Sequence, residues 1–278
     1  MLIGASRELL YRKRMAPLTP IRNIVRIAVT GIFLTGPCLA AEPRPDIAIK
    51  TAAVDVSVIL DATIKAHPAL EADCLAEGKR YAEKQRKEAT GIKRSDPKYF
   101  PAEGYTFERR YVTASVVGGR YISVLREDYA NTYGAHPNTY VDTILWDDAA
   151  KKRISIRPFF KETADGGPTL TAMRKAVIAA LKAEKKARGI VDDDTGFDWY
   201  KDIGPSLLKI GPVTLAPSTE PGKSAGLAFH YQPYAAGPYV EGRFDVTVPW
   251  RDLKSHLSAK GIAIFGGTLP THGDNNRR

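Results

Sequence analysis

From residue 54 onward, this chain contains short segments in which apolar and polar residues alternate, or in which β-branched and aromatic residues cluster. Both patterns are typical of strands. We therefore expect strands at residues 54–60, 106–117, 120–129, 138–146, 153–156, 212–215, 226–231 and 243–248. The pair Gly118-Gly119 separates two of them and predicts a tight hairpin, because glycine readily adopts the positive φ that such turns need.

Helical periodicity appears in two longer segments. Their apolar stripes consist of Leu70, Cys74, Leu75 and Tyr81, and of Leu170, Met173, Val177 and Leu181. These stripes predict helices over about residues 68–88 and 168–186, and residues 250–257 are expected to form a short closing helix. Runs of strands with two or three helices indicate an α+β fold. We expect one domain, residues 42–265, in which helices cover one face of an antiparallel meander, followed by a disordered tail, residues 266–278.

The first 41 residues have the features of a secretory signal peptide. Arg22 and Arg26 precede the apolar run 27–34, and the small residues Ala40 and Ala41 follow it. This run is shorter than the roughly 20 residues that span a bilayer, so it predicts export and contact with a membrane only through the export signal. The expected location is periplasmic or secreted. Met1 and Met15 remain alternative starts.

Charge and cysteine content change with removal of the signal peptide. Residues 1–41 hold six of the 41 basic and one of the 31 acidic residues, which leaves residues 42–278 with a net charge of +5. This mild basicity does not indicate nucleic-acid binding. Only Cys74 remains, so no disulfide is possible within the mature chain, and its place on an apolar stripe predicts a buried structural thiol.

Two short loops concentrate aromatic residues, proline and glycine between predicted strands. The first motif loop comprises residues 131–140, with the sequence NTYGAHPNTY, and the second comprises residues 232–239, with the sequence QPYAAGPY. Proline and glycine fix such backbones, and tyrosine rings present large amphipathic surfaces. This composition favours recognition over catalysis. If the two loops form one surface, we expect their flanking strands to be neighbours in one sheet.

These loops resemble the central motifs of a bacterial extracytoplasmic domain. The resemblance is carried by residues 134–140 with the strand end Leu145-Trp146-Asp147, and by residues 233–238 with residues 244–250. That domain forms the extracellular part of RsiV-type anti-sigma factors, which bind lysozyme, and it also accompanies the deacetylase domain of PdaC-type peptidoglycan deacetylases. The resemblance covers about residues 54–258 and implies a lysozyme-like muramidase or a peptidoglycan fragment as the ligand.

The ligand-binding residues that we expect all lie in the two motif loops. They are His136, Pro137, Asn138, Tyr140, Pro233, Tyr234, Gly237, Pro238 and Tyr239. Trp146 and Trp250 are expected in the core, whereas the sequence leaves open whether Tyr234 and Tyr239 are exposed anchors or packed residues. The leading hypothesis is a non-enzymatic binding module for a lysozyme-like protein or a cell-wall glycan.

No recognisable catalytic, metal-binding or cofactor motif accompanies these loops. His136 lacks the second histidine one helical turn earlier that a metal site would need, since position 132 is threonine. The run Asp192-Asp193-Asp194-Thr195-Gly196 does not fit a calcium loop, because glycine falls at the fifth position instead of the sixth. No catalytic residue, metal or cofactor is therefore expected. The alternative is a cell-wall hydrolase or deacetylase whose site is not visible as a motif.

The export signal gives a direct prediction about the mature protein. Cleavage after Ala40 or Ala41 should produce a chain that starts at Ala41 or Glu42 and carries no lipid. Pro37 stands immediately before Cys38, where lipoprotein signals have a small flexible residue. Intact mass spectrometry of the exported protein measures the outcome. A diacylated Cys38 at the N-terminus would contradict the prediction.

Overall fold

The computed structural model describes residues 44–191 and 198–271. The strands are β1 (Ile47–Lys50), β2 (Val54–Leu60), β3 (Tyr105–Val117), β4 (Tyr121–Asn131), β5 (Asn138–Asp147), β6 (Lys152–Ile154), β7 (Val213–Leu215), β8 (Gly226–Tyr231) and β9 (Phe244–Pro249). The α-helices are α1 (Ala62–Lys65), α2 (Pro68–Ser95), α3 (Pro168–Ala187) and α4 (Ala259–Ile264). Short 3₁₀ helices occupy Arg157–Phe159, Tyr239–Glu241 and Trp250–His256. The described residues belong to one compact unit.

The first sheet contains strands β1 to β6 in sequential order. All neighbours are antiparallel except β2 and β3, which are parallel and are joined through α1 and α2. Parallel strands need such a crossover because the chain must return to the same end of the sheet. The remaining strands form the expected meander, and Gly118 and Gly119 have positive φ in the tight turn between β3 and β4.

Helix α2 packs closely on one face of this sheet because small residues line its buried side. Its buried residues are Leu70, Cys74, Gly78, Ala82 and Ala89. A Cβ atom at Gly78 would lie 2.8 Å from Cγ1 of Val58, so glycine permits the close approach of helix and strand. Burial raises the pKa of the Cys74 thiol to about 12, which makes it an inert core residue. The prediction of a buried thiol is confirmed.

The second sheet consists of β7, β8 and β9, all antiparallel, and it lies with α3 against the opposite face of the first sheet. The predicted stripe of α3 forms the centre of this second core. Leu170, Met173, Val177 and Leu181 are all completely buried, which confirms the predicted helix phase. They pack among residues from β8, β9 and the first sheet, including Phe229, Phe244 and Leu145.

Three hydroxyl groups join the second sheet to the face of the first. Ser115, Ser123 and Thr143 lie on β3, β4 and β5, and we call them the hydroxyl row. Backbone N–H groups of Leu215 and Val213 donate to Ser123 Oγ (3.0 Å) and Thr143 Oγ1 (3.1 Å). Ser115 Oγ donates to the Leu215 carbonyl at 2.6 Å. The outer edge of β7 is thus satisfied by side chains, which removes the exposed edge that a short sheet would otherwise present.

The fold class is confirmed as α+β, with an antiparallel-dominated sheet and packed helices in one domain. Two features differ from the expectation. The strands divide into two sheets, the second of which lies against the face of the first sheet opposite α2, and β2 and β3 are parallel. Strand β1 and helices α1 and α4 were not predicted, because segments of four to six residues carry too little periodicity to be recognised.

The beginning of the predicted tail is part of the fold. Gly266 N–H donates to the Ser224 carbonyl, and the Gly267 carbonyl accepts from Trp250 Nε1 at 3.1 Å. The Thr219 N–H donates to the Thr268 carbonyl at 2.8 Å. The predicted signal peptide, the acidic run 192–196 and residues 272–278 lie outside the described residues. Within the described ranges, no helix has the length and apolar character needed to cross a bilayer.

The buried stripe of α3 predicts a large cost for truncation. Leu181→Ala should lower the free energy of unfolding by about 2–5 kcal/mol, the range for a buried leucine. The exposed residue Lys175 on the same helix provides the control, and Lys175→Ala should change stability by less than about 0.5 kcal/mol. Chemical denaturation measures both. A loss below about 1 kcal/mol at Leu181 would contradict the packing.

The hydroxyl row predicts a second stability effect of a different origin. Ser123 is completely buried, so Ser123→Ala leaves the Leu215 N–H without its partner and should cost about 1–3 kcal/mol. Ser57→Ala on β2 of the same sheet removes a half-buried hydroxyl with no such bond and serves as the control. Equal unfolding free energies for the two variants would show that the hydroxyl does not hold β7.

Candidate ligand-binding site

The two motif loops lie side by side although they belong to different sheets. The first connects β4 to β5 in the first sheet, and the second connects β8 to β9 in the second sheet. The expectation that their flanking strands share one sheet is therefore wrong. The loops meet because the two sheets pack together at this end, and their proximity agrees with the expectation of a shared surface.

Three rings hold the loops together, and we call His136, Tyr234 and Tyr239 the aromatic cluster. The His136 and Tyr239 rings are stacked, with centroids 3.7 Å apart and planes inclined by 20°. His136 Nε2 lies 3.2 Å from the Tyr234 hydroxyl, across a separation of 98 residues in sequence. The Tyr239 hydroxyl donates to the Pro137 carbonyl at 2.9 Å. Each of these contacts connects one motif loop with the other.

Each motif loop contains a tyrosine in the left-handed backbone region. Tyr133 has φ of 58° and Tyr234 has φ of 71°, and Lys151 is the other non-glycine residue with positive φ in the described part of the chain. This conformation costs a bulky residue about 1–2 kcal/mol. Both side chains are about half exposed, at 49% for Tyr133 and 56% for Tyr234. The loops thus hold exposed rings in strained positions, as is common at functional sites.

A buried ion pair lies beneath the end of the second motif loop. Lys185 Nζ on α3 lies 3.2 Å from Glu241 Oε2, and both side chains are largely buried. A Cβ atom at Gly237 would collide with the Glu241 carboxylate in its present position, so glycine gives this side chain room beside the loop. Pro238 directly precedes the 3₁₀ helix Tyr239–Glu241. Gly237 and Pro238 therefore shape the loop, and Gly237 itself is buried.

The remaining predicted site residues border two clefts beside the aromatic cluster. Asn138 and Tyr140 line a cleft of about 630 Å³ between α2 and strands β3 to β5, which we call the α2 cleft. Tyr234 also lines a cleft of about 570 Å³ that reaches Leu208 and His230. Pro233 is half-buried between Gln232 and Tyr234. The Gln232 side chain accepts a hydrogen bond from the Val141 N–H at 3.2 Å, which is a further link between the second motif loop and strand β5.

The sequence left open whether Tyr234 and Tyr239 are exposed, and the two residues differ in the structure. Tyr234 is 56% exposed, whereas Tyr239 is half-buried under His136. Trp146 is buried, as expected. Trp250 is only partly buried, although it packs against the second core and its indole N–H is bonded to Gly267.

A Thr-His-Asp arrangement across strands β7, β8 and β9 of the second sheet was not predicted. His230 Nδ1 lies 2.6 Å from Asp245 Oδ1, and His230 Nε2 lies 2.9 Å from Thr214 Oγ1. Burial works to raise the pKa of Asp245, but hydrogen bonds from His230 and Arg243 outweigh it and lower that pKa. The order resembles a hydrolytic triad. However, Thr214 is 2% exposed, so a substrate cannot reach its hydroxyl, and the cluster acts as a structural link.

The described histidines are surrounded by protein hydrogen-bonding groups and rings. Among the described residues, no group of three or more His, Cys, Asp and Glu side chains is placed to hold a metal ion. His136 contacts the Pro137 carbonyl through Nδ1 at 2.9 Å and Tyr234 through Nε2. Its ring therefore orders the loops.

Comparison with known proteins agrees with the fold. Residues 160–251 match the model of DUF3298, a family described as a protein of unknown function. A crystal structure of a DUF3298 family member from Bacteroides fragilis NCTC 9343 is similar, with a TM-score of 0.52, 15% identity, and coverage of 78% of this chain and 93% of that chain. A DUF3298 family protein from Pseudomonas aeruginosa PAO1 has a TM-score of 0.48, 16% identity, and coverage of 77% and 87%. No significant match to a curated protein was found.

The aromatic cluster predicts different roles in stability for its two tyrosines. Tyr239→Ala removes a stacked ring and a hydrogen bond and should cost about 1–3 kcal/mol. Tyr234→Ala removes an exposed ring and should cost less than about 1 kcal/mol. Thermal and chemical unfolding of the two variants measure the difference. Equal losses would show that the rings are not arranged as described.

Proposed function

We propose that this chain is a non-enzymatic binding domain of the bacterial cell envelope, and that its partner docks on the two motif loops. The observation that carries this proposal is the aromatic cluster. Two loops 98 residues apart are interlocked through their rings, and each holds an exposed tyrosine in a strained conformation. Such strained residues persist only where the surrounding structure holds them in place, and they are concentrated at functional sites.

The polar groups of the cluster favour binding over catalysis. Both ring nitrogens of His136 have partners, namely the Pro137 carbonyl and the Tyr234 hydroxyl. No carboxylate of the described residues is in contact with the His136 ring, so it has no acidic partner that would orient it as a general base. The hydroxyl of Tyr239 is also bonded to the Pro137 carbonyl. The loops are therefore a preorganised surface with few free reactive groups.

The shape of the cluster favours a protein partner over a glycan. A sugar ring stacks on a free aromatic face, but His136 and Tyr239 cover one face of each other. The exposed rings are instead those of Tyr133, Tyr140 and Tyr234. Tyr133 precedes Gly134, and Tyr234 follows Pro233. Tyrosines of this kind are typical anchors in protein interfaces. The resemblance of the motif loops to the RsiV-type domain makes a lysozyme-like muramidase the partner that we propose.

Titration of a purified c-type lysozyme against the chain tests this proposal. Tyr234→Ala should weaken the affinity by about 1–2 kcal/mol, or roughly 5- to 30-fold, because an anchor ring is removed. The control is Tyr99→Ala, which removes a tyrosine that is 77% exposed outside the motif loops and should leave the affinity unchanged. Isothermal titration calorimetry measures each affinity.

Three outcomes would contradict the proposal. The first is the absence of lysozyme binding by the wild-type chain. The second is equal binding by wild type and Tyr234→Ala. The third is turnover of purified peptidoglycan by the wild-type chain, which would support the alternative of a cell-wall hydrolase or deacetylase.

A further inference from the structure

The net positive charge of residues 42–278 comes from one half of α2. Residues 79–94 contain seven basic and two acidic residues and carry a net charge of +5. The basic residues are Lys79, Arg80, Lys84, Arg86, Lys87, Lys93 and Arg94. Residues 42–278 as a whole also carry a net charge of +5, so the rest of that stretch is neutral. One helical segment therefore accounts for the whole net positive charge.

The two halves of α2 also differ in the partners of their charged side chains. Asp73 and Glu77, in the first half, form ion pairs with Arg153 of the sheet. In the basic half, Glu83 pairs with Arg86 and Glu88 pairs with Lys84, both on the helix itself. Arg80, in contrast, is exposed and has no ion-pair partner within the part of the chain that the structure describes. The helix thus presents uncompensated positive charge to solvent, which attracts anionic ligands.

The α2 cleft lies directly beside this charge. Arg80, Lys84 and Glu88 border it on the helix side, and Gln85, Asn138 and Tyr140 line it with amide and phenol groups. The Tyr140 ring is 48% exposed. The cleft volume of about 630 Å³ is in the usual range for ligand sites.

The floor of the α2 cleft is rigid and electrically balanced. Arg109 donates to both carboxylate oxygens of Asp128, at 2.6 and 2.5 Å. Its guanidinium group lies 3.8 Å from the centre of the Tyr81 ring. Because these charges are satisfied internally, the unpaired positive charge beside the cleft is that of Arg80 at the rim.

We propose that the α2 cleft binds a glycan chain that carries carboxylate groups. Arg80 and Lys84 contact the carboxylates, Asn138 and Gln85 bond to sugar hydroxyl or acetamido groups, and the Tyr140 ring packs on a sugar ring. A concave cleft lined by amides and phenols suits a saccharide better than an anionic membrane surface. This site shares Asn138 and Tyr140 with the first motif loop, but none of its residues belongs to the aromatic cluster.

Calorimetric titration with two tetrasaccharides tests the site. One is the tetrasaccharide of alternating N-acetylglucosamine and N-acetylmuramic acid, which carries carboxylates, and the other is chitotetraose, which has the same backbone without them. The acidic tetrasaccharide should bind at least about tenfold more tightly than chitotetraose, and its affinity should fall as the salt concentration rises.

Charge-removing variants identify the residues responsible. Arg80→Gln with Lys84→Gln should weaken binding of the acidic tetrasaccharide by about tenfold, as expected for loss of charge-assisted hydrogen bonds. The control combines Lys186→Gln with Lys260→Gln, which removes two exposed charges elsewhere and should leave the affinity unchanged. Tyr140→Ala should weaken both tetrasaccharides. Thermal melting confirms that each variant is folded.

The proposal would be overturned by equal binding of the two tetrasaccharides, by an unchanged affinity in the Arg80 and Lys84 variant, or by binding only to vesicles of anionic phospholipid. Absence of measurable binding at millimolar concentrations of the acidic tetrasaccharide would also overturn it. Lysozyme titration of the same Arg80 and Lys84 variant separates this site from the loops, because loss of the glycan alone would leave that affinity intact.

Discussion

The contact between the edge of β7 and the face of the first sheet determines the arrangement of this molecule. A three-stranded sheet with a three-residue edge strand has little capacity to hold itself in place. The hydroxyl row supplies the missing backbone partners of that edge, and a buried N–H or carbonyl left without one would cost about 1–3 kcal/mol. Hydrophobic burial around α3 drives the two layers together, whereas the hydroxyl groups determine the position at which they meet.

The candidate site is a consequence of that position. Each motif loop belongs to its own hairpin, and only the packing of the two sheets brings His136 within reach of Tyr234 and Tyr239. The buried pair of Lys185 and Glu241 connects α3 to the 3₁₀ helix that follows the second motif loop, so the loop is supported from the core as well as from its neighbour. A surface preorganised in this way loses little conformational freedom when a partner docks.

Local signals in the sequence predict the parts of this fold that depend on neighbouring residues. The α3 stripe and the turn at Gly118 follow from periodicity and from glycine's backbone freedom, and both are observed. The division into two sheets does not follow, because Ser115 and Ser123 look like ordinary strand residues until β7 is placed beside them. The same reason explains why the Thr214–His230–Asp245 link was missed and why the exposure of Tyr239 could not be decided. The partners of Tyr239 lie about 100 residues away in the first motif loop.

Nuclear Overhauser spectroscopy of the free protein tests the central claim that the two motif loops form one surface. With ring centroids 3.7 Å apart, the His136 and Tyr239 ring protons should give a strong cross-peak in the absence of any ligand. The cross-peak should weaken when Ser115 and Ser123 are both replaced by alanine, since the sheets are then held less firmly. A folded wild-type protein without this cross-peak would show that the loops are separate, and the proposed single site would be wrong.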